Sequence, residues 1–352
     1  MSTQLPGRLG NPELSFSDDP RADPRIAEAL KLMELAPGVE PIDPGSSYED
    51  VLAYATAFED AGTVTHPMQL EAMPDFSHID SRTEVIKGVD GNDINLYIHR
   101  AKDNNAAAPC IVHTHGGGMV VMTAQDPGFI RWRNDLAAAG MVVVGVEFRN
   151  GAGKLGNHPY PAGLNDCASA VQWVAENKAA LNISNIVISG ESGGGNLSIA
   201  TTLKAHKEGW SQLISGVYAC CPYISGEYAN PPAELVSLAE NDTYMLDSNQ
   251  MALLVKAYDP TGEAAGDPLA WPLHATTEEL AGLPPHIISV NELDPLRDEG
   301  LAFFHKLLAA GVPVTARTVH GTPHAGDLMF PDIAPEHYWE TLRGLTGFAS
   351  SL

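Results

Sequence analysis

The sequence predicts an α/β protein built on a mostly parallel, doubly wound sheet. Three observations lead there. From Arg82 onward, apolar β-branched runs alternate with amphipathic stretches of helical length, the pattern of a parallel sheet covered by helices on both faces. Two glycine-rich segments each follow directly on such a run, where a strand gives way to a loop or a helix. The chain has 352 residues, 44 % of them hydrophobic, which supplies a sizeable core and excludes global disorder.

Residues 1–80 differ from the rest. They hold 15 acids and 4 bases, a charge of −11 within the whole chain's −24. Two short amphipathic helices are predicted there, Pro24–Ala36 and Ser47–Asp60, separated by the turn-rich PGVEPIDPGS. Helices of this length are marginal alone, so they are expected to lie on a larger body as part of a cap. Thr83–Val89 and Asn95–His99 flank the turn sequence DGND and read as an antiparallel hairpin. Further strands are predicted at Cys110–Thr114, Met141–Phe148, Asn185–Ser189, Ile214–Cys220, His286–Val290 and Val314–Val319. Helices are predicted at Gly128–Ala139, Ala162–Ala180, Gly195–Lys207, Glu299–Ala310 and Glu336–Ser350. The stretch Ser225–Thr277 breaks the alternation with Pro, Asn and Asp turns around one helix, Ser248–Tyr258, and reads as an insertion over the sheet edge.

Composition excludes several roles. A formal charge of −24 repels phosphate backbones, so no nucleic-acid partner is expected. No segment approaches the ~20 apolar residues of a membrane span, and the N-terminus lacks the apolar core of a signal peptide. A cytoplasmic protein with no membrane partner is expected. Cys110, Cys167, Cys220 and Cys221 show no C-x-x-C spacing and read as buried core residues in a reducing compartment.

The strongest chemical signal is Gly190-Glu191-Ser192-Gly193-Gly194, between the strand NIVIS and the helix GNLSIATTL. This is G-x-S-x-G in strand–turn–helix context, a nucleophile elbow. So tight a turn strains the serine backbone and brings the residues two before and two after it together, which requires Gly190 and Gly194. The serine then stands at the carboxyl edge of the sheet, beside a helix N-terminus that favours developing negative charge. The second signal is His115-Gly116-Gly117-Gly118, directly after the strand Cys110–Thr114. Acyl transfer needs unshielded N–H groups aimed at a forming oxyanion, and glycines expose them.

A serine nucleophile also needs a base and an orienting acid, in the order Ser, Asp/Glu, His on such a sheet. After the strand HIISV come Glu292, Asp294 and Asp298. Asp294 falls on the catalytic sheet edge, and Asp298 reads as a helix cap. After VTARTV come His320 and His324, and spacing does not choose between them.

Together HTHGGG, GESGGGNL, ELDPLRDEG and PHAGD resemble the hormone-sensitive-lipase-like carboxylesterases of the α/β-hydrolase superfamily. The resemblance runs from about Arg82 to the C-terminus and more loosely through the N-terminal helices. It implies an α/β-hydrolase fold: a mostly parallel eight-stranded sheet flanked by helices, with a helical cap. Residues 81–352 would form the catalytic domain, residues 1–80 the N-terminal part of the cap and residues 225–277 a cap insertion. It implies Ser192 as nucleophile, His324 as base and Asp294 as its partner. Oxyanion donors would be the N–H groups of Gly117, Gly118 and Gly193, with His115 bracing the glycine loop. The acyl-transfer mechanism these residues would run needs no metal and no organic cofactor, and its expected partner is a small-molecule ester, with a homo-oligomer possible. Two departures stand out. The family commonly has Ala where this chain has Gly193, and Gly plus an aromatic where Ala325 and Gly326 follow His324.

Two other motifs fail on context. Gly151-Ala152-Gly153-Lys154-Leu155-Gly156 satisfies G-x-G-x-x-G, but Pro159 and Pro161 block the helix a dinucleotide site needs. His113 and His115 form an H-x-H pair, but the following ligand positions are Gly117 and Gly118, which have no side chain to offer. The sequence therefore predicts a serine carboxylesterase for short or small soluble esters. An amidase or lactonase on the same triad, or a non-catalytic receptor on the same fold, are the alternatives.

Overall fold

The computed structural model describes residues 5–33 and 39–352. Eight strands, β1 (Ile79–Lys87), β2 (Asp93–Ala101), β3 (Ala108–Thr114), β4 (Val142–Glu147), β5 (Ile183–Glu191), β6 (Gly216–Cys220), β7 (His286–Asn291) and β8 (Val314–Val319), form one sheet. Their order is β1-β2-β4-β3-β5-β6-β7-β8. The β1–β2 and β2–β4 pairings are antiparallel, and every pairing from β4 to β8 is parallel. Among the described residues, eight helices have ten or more residues: α1 (Pro24–Met33), α2 (Tyr48–Gly62), α3 (Pro127–Ala138), α4 (Ala162–Glu176), α5 (Gly193–Glu208), α6 (Ser248–Tyr258), α7 (Arg297–Ala309) and α8 (Pro335–Ser350). None is long and apolar enough to cross a membrane.

The central strands are apolar because both their faces are covered. Along β3, Cys110 and Val112 point into the layer built by α4, α5 and α7, with Leu164, Val171, Leu197 and Phe303. Ile111, between them, points into the opposite layer, with Trp132 and Leu136 of α3 and Leu342 and Leu345 of α8. Each such fully buried aliphatic side chain stabilises the fold by ~1.5–3 kcal/mol. Strand β1 lies at the edge and keeps its Asp80–Thr83 stretch in solvent. It begins at Ile79, earlier than the hydrophobic pattern suggests, because β2 runs on to Ala101 and pairs with it there.

Strand register positions the site. Thr114 of β3 pairs with Gly190 of β5, and Glu191 pairs with Cys220 of β6. The loops leaving these three strands therefore emerge side by side. Asn291 of β7 pairs with Val319 of β8, which sets the Asp294 and His324 loops next to one another at the same edge.

The two segments expected to form a cap meet at that edge. Ser47 caps α2 by accepting the Asp50 N–H at 3.1 Å. Helix α2 packs on α6, where Gln250 Nε2 donates to the Tyr54 hydroxyl at 3.1 Å. Helix α1 buries Ile26 and Leu30 beside Leu293 and Phe330.

Some expectations need correcting. The predicted helix Ala162–Ala180 is two: α4 ends at Glu176 and a short turn, Lys178–Leu181, follows. The Asn177 amide competes for the Trp173 carbonyl, the behaviour that makes Asn a poor helix-interior residue. Asp298 is not the cap of α7; it lies inside the first turn of that helix and instead accepts the Ser237 N–H, at the start of the short helix Ser237–Glu240, at 2.8 Å. It is Asp294 that serves the helix entry, accepting the Leu296 N–H at 2.9 Å. Residues 34–36 of the first predicted helix lie outside the described residues.

Candidate active site

Ser192 sits at the junction of β5 and α5 with φ 57° and ψ −120°. A non-glycine residue in that region carries strain of order 1–3 kcal/mol. Its neighbours show why the turn needs glycine. A Cβ on Gly190 would lie 2.5 Å from the Gly194 carbonyl carbon, and one on Gly194 would overlap the Thr114 carbonyl oxygen. Helix α5 starts at Gly193, so its first N–H groups and its dipole face the serine.

The glycine loop after β3 runs through consecutive left-handed residues, Gly117 (φ 100°), Gly118 (φ 62°) and Met119 (φ 61°). It closes on itself where the Gly117 carbonyl accepts N–H bonds from Val120 and Val121, both at 3.0 Å. Among the described residues, the N–H groups of Gly117, Gly118 and Gly193 are not spent on any protein acceptor. His115 is fully buried and stacks on Phe148 with ring centroids 4.2 Å apart. Its Nδ1 donates to the Gly116 carbonyl at 2.8 Å, and burial pushes its pKa down to about 3. It is therefore neutral at ordinary pH and meets the loop through packing and one hydrogen bond.

Asp294 and His324 are brought together. His324 Nδ1 lies 2.8 Å from Asp294 Oδ2, with both side chains buried. A carboxylate only accepts, so Nδ1 carries the proton and Nε2 is left as the basic nitrogen. His320 goes elsewhere: its side chain is 77 % exposed and pairs with Glu292 at 3.0 Å. Ser192 joins the pair through the segment after β6. Its N–H donates to the Cys220 carbonyl at 3.0 Å and its carbonyl accepts the Tyr223 N–H at 3.1 Å. Cys221, within that segment, offers its sulfur within 4.8 Å of ligand atoms of both Asp294 and His324. No hydrogen bond joins the Ser192 hydroxyl to His324 among the described residues; such contacts often close only around substrate.

Comparison with known proteins places this geometry. Residues 111–327 match the profile of a family described as the α/β hydrolase fold. The chain belongs to that family. As an α/β-hydrolase it is similar to a solved bacterial brefeldin A esterase, described as a homologue of human hormone-sensitive lipase. The identity is 44 %, the TM-score 0.93, and the match covers 99 % of this chain and 98 % of the other. It is also similar to the structure of the esterase Est22, at 36 % identity and TM-score 0.83 over 96 % of this chain and 99 % of that one. Among curated relatives, carboxylesterase NlhH of Mycobacterium tuberculosis is 31 % identical over 289 residues, 80 % of this chain and 85 % of the relative.

Sequence reasoning passed over three residues of this α/β-hydrolase. Glu191, the variable position of G-x-S-x-G, accepts the Gly116 N–H at 2.8 Å and lies 3.1 Å from His113 Nε2. A carboxylate at the buried end of a parallel strand is itself a signal. Cys221 read as core and is buried, but it packs against the Asp294–His324 pair. Glu59 looked like one acid among many on a surface helix and is 4 % exposed. The two rejected motifs have structural employment. His113 is taken by Glu191, and the G-x-G-x-x-G loop cradles the Glu59 carboxylate through the Lys154 N–H at 2.6 Å.

Proposed function

We propose that this α/β-hydrolase is a serine carboxylesterase in which Ser192 is the nucleophile, His324 the general base, Asp294 its orienting partner, and the N–H groups of Gly117, Gly118 and Gly193 the oxyanion donors. One observation carries the reading: a strained serine, three N–H groups that meet no protein acceptor among the described residues, and a buried His–Asp pair all lie on loops at the same edge of the sheet. The names of its relatives, brefeldin A esterase, Est22 and carboxylesterase NlhH, support ester hydrolysis as the reaction class.

The steps follow from the atoms. His324 Nε2 takes the Ser192 hydroxyl proton as Oγ attacks the ester carbonyl. The carbonyl oxygen gains charge and is met by the three N–H groups, which cost no reorganisation because the left-handed loop already exposes them. Asp294 stabilises the imidazolium. The C–O bond breaks, His324 returns its proton to the alcohol, and an acyl-Ser192 remains. Water, deprotonated by His324, then releases the acid and restores the serine.

Residues 1–80 and 225–277 act as the cap in this reading. Leu254 of α6 reaches over Gly118, where a Cβ would lie 2.8 Å from its Cδ1. A roofed site favours small soluble esters, since each methylene that fits gains only ~0.8 kcal/mol and those beyond the pocket gain nothing. The test is kcat/KM across p-nitrophenyl esters from acetate to palmitate, with covalent labelling by a p-nitrophenyl phosphonate. The expected result is a maximum at short acyl chains and label on Ser192, both lost in Ser192→Ala. A maximum at palmitate would reject the small-ester reading, and undiminished turnover by Ser192→Ala would reject the serine mechanism.

A further inference from the structure

We infer that Glu59, on helix α2 of the N-terminal segment, is a positioning residue for the oxyanion loop. This rests on the serine-esterase reading above and assigns it a part outside the triad and the glycine motif.

Both carboxylate oxygens of Glu59 are spent on main-chain donors. Oε1 accepts the Met122 N–H at 2.9 Å and Oε2 accepts the Lys154 N–H at 2.6 Å. The fit is close on the Lys154 side, since a Cβ on Gly153 would overlap Oε2, and Gly153 has φ 72°. The two segments held in this way are also tied to each other. Gly151 N–H donates to the Met119 carbonyl at 2.9 Å and Ala152 N–H to the Val120 carbonyl at 3.0 Å. The Asn150 amide donates to the Met122 carbonyl at 2.6 Å. Met122 is a non-glycine residue at φ 72°, a conformation that persists only where its surroundings hold it. Residues 119–122 form the return limb of the turn closed by the Gly117 carbonyl. A fixed Met122 therefore fixes the direction in which the Gly117 and Gly118 N–H groups point.

The consequence is that docking of α2 and assembly of the oxyanion hole are one event. Charge-assisted hydrogen bonds to main-chain N–H groups are stronger and shorter than neutral ones. Removing the carboxylate takes the protein acceptor from two main-chain N–H groups beside a strained loop, and displacement of catalytic donors by ~1 Å costs on the order of 10²-fold in rate.

Wild type, Glu59→Ala, Glu59→Gln and the exposed neighbour variant Asp60→Asn would be titrated with a p-nitrophenyl phosphonate to count competent serines. Turnover of p-nitrophenyl acetate per titrated site would follow, with the Ki of a trifluoromethyl ketone as oxyanion mimic. For Glu59→Ala we expect kcat per site to fall ~10–100-fold with KM changed less than ~3-fold and the ketone Ki raised in parallel. Glu59→Gln, which keeps the shape and one acceptor, should fold and lie between the two. Asp60→Asn should match wild type. The inference is overturned if kcat per site and ketone Ki stay at wild-type values in Glu59→Gln and in whatever fraction of Glu59→Ala folds, or if KM alone moves. A wild type that the phosphonate does not label would instead reject the serine mechanism itself.

Discussion

The carboxylate of Glu191 accepts the Gly116 N–H at 2.8 Å, so the residue before Ser192 holds the first glycine of the loop facing it. Ser192 and the glycine loop are thus linked through one buried acid, whose other oxygen meets His113. Glu191→Leu should leave the Gly116 N–H and the His113 ring unpaired. We expect a stability loss of ~1–3 kcal/mol and a kcat loss of ~10–100-fold at similar KM. Glu191→Gln, retaining one acceptor, should lose less of both. Urea midpoints and turnover of p-nitrophenyl acetate, measured on the same preparations, check this.

The elbow glycines should separate into two classes. At Gly194 a Cβ overlaps the Thr114 carbonyl oxygen, main chain that cannot give way without moving β3. Gly194→Ala should therefore destabilise by at least ~3 kcal/mol or fail to fold. At Gly193 the obstacle is the oxyanion loop, with Met119 N at 2.6 Å and Gly118 Cα at 2.7 Å from the added Cβ. Main-chain contacts this close require the loop itself to move to admit a Cβ. Gly193→Ala should fold, with its urea midpoint near wild type, and show its effect on kcat. Equal destabilisation of the two variants would show that the loop is as rigid as the sheet.

The sheet was readable because its signals are local. Apolar β-branched runs such as Met141–Val146 are hard to place anywhere but a doubly covered strand, and G-x-S-x-G announces its own turn. Ser192, the glycine loop and the late loops could be placed for the same reason. What stayed hidden depends on chain crossings. Glu59 acquires its meaning from Met122 and Lys154, far along the chain, and a single Glu on an acidic amphipathic helix carries no mark of such a partner. Cys221 was invisible because a buried thiol beside the Asp294–His324 pair and one in plain core have the same local sequence. Spacing leaves His320 and His324 open and only the family resemblance favours His324; the structure puts His320 in solvent and His324 against Asp294.

Three buried histidines predict an acid limit to stability. Burial pushes the pKa of His115 down to about 3 and those of His99 and His286 down to about 4, against ~6.5 in the unfolded chain. The sign follows from proton binding. Between pH ~6.5 and ~4 the unfolded chain binds protons that the folded one refuses, so stability is fully present above ~6.5 and is lost as pH falls toward the folded values. Each group contributes a slope of up to ~1.4 kcal/mol per pH unit inside that window. Urea denaturation at half-unit steps from pH 7.5 to 4 should show the decline. In His286→Leu the slope should shrink by about one proton. An unchanged slope would mean that His286 titrates alike in both states.

The last test separates the two histidines after β8. His324 Nδ1 is locked to Asp294 at 2.8 Å, and the loop carrying it is fastened beneath by Asn291, whose amide donates to Thr322 Oγ1 at 2.7 Å and Asp327 Oδ1 at 2.9 Å. Ala325, directly after it, is held at φ 51°. That is the left-handed region glycine favours, which gives a physical reason for the glycine common there in the family. In the proposed mechanism so fixed a ring serves one direction, its Nε2 taking the Ser192 proton. His324→Ala should cost ~10⁴–10⁶ in kcat and Asp294→Asn ~10⁴, because an amide no longer enforces the tautomer. His320→Ala removes an exposed ring whose contact with Glu292 is at the surface and contributes little, and should keep kcat within ~2-fold. Glu292 also accepts the Gly321 N–H at 2.9 Å, so the loop does not depend on His320 for its shape. Near-wild-type turnover in His324→Ala with collapse in His320→Ala would transfer the base to His320 and require the loop to rearrange around Asp294 in the working enzyme.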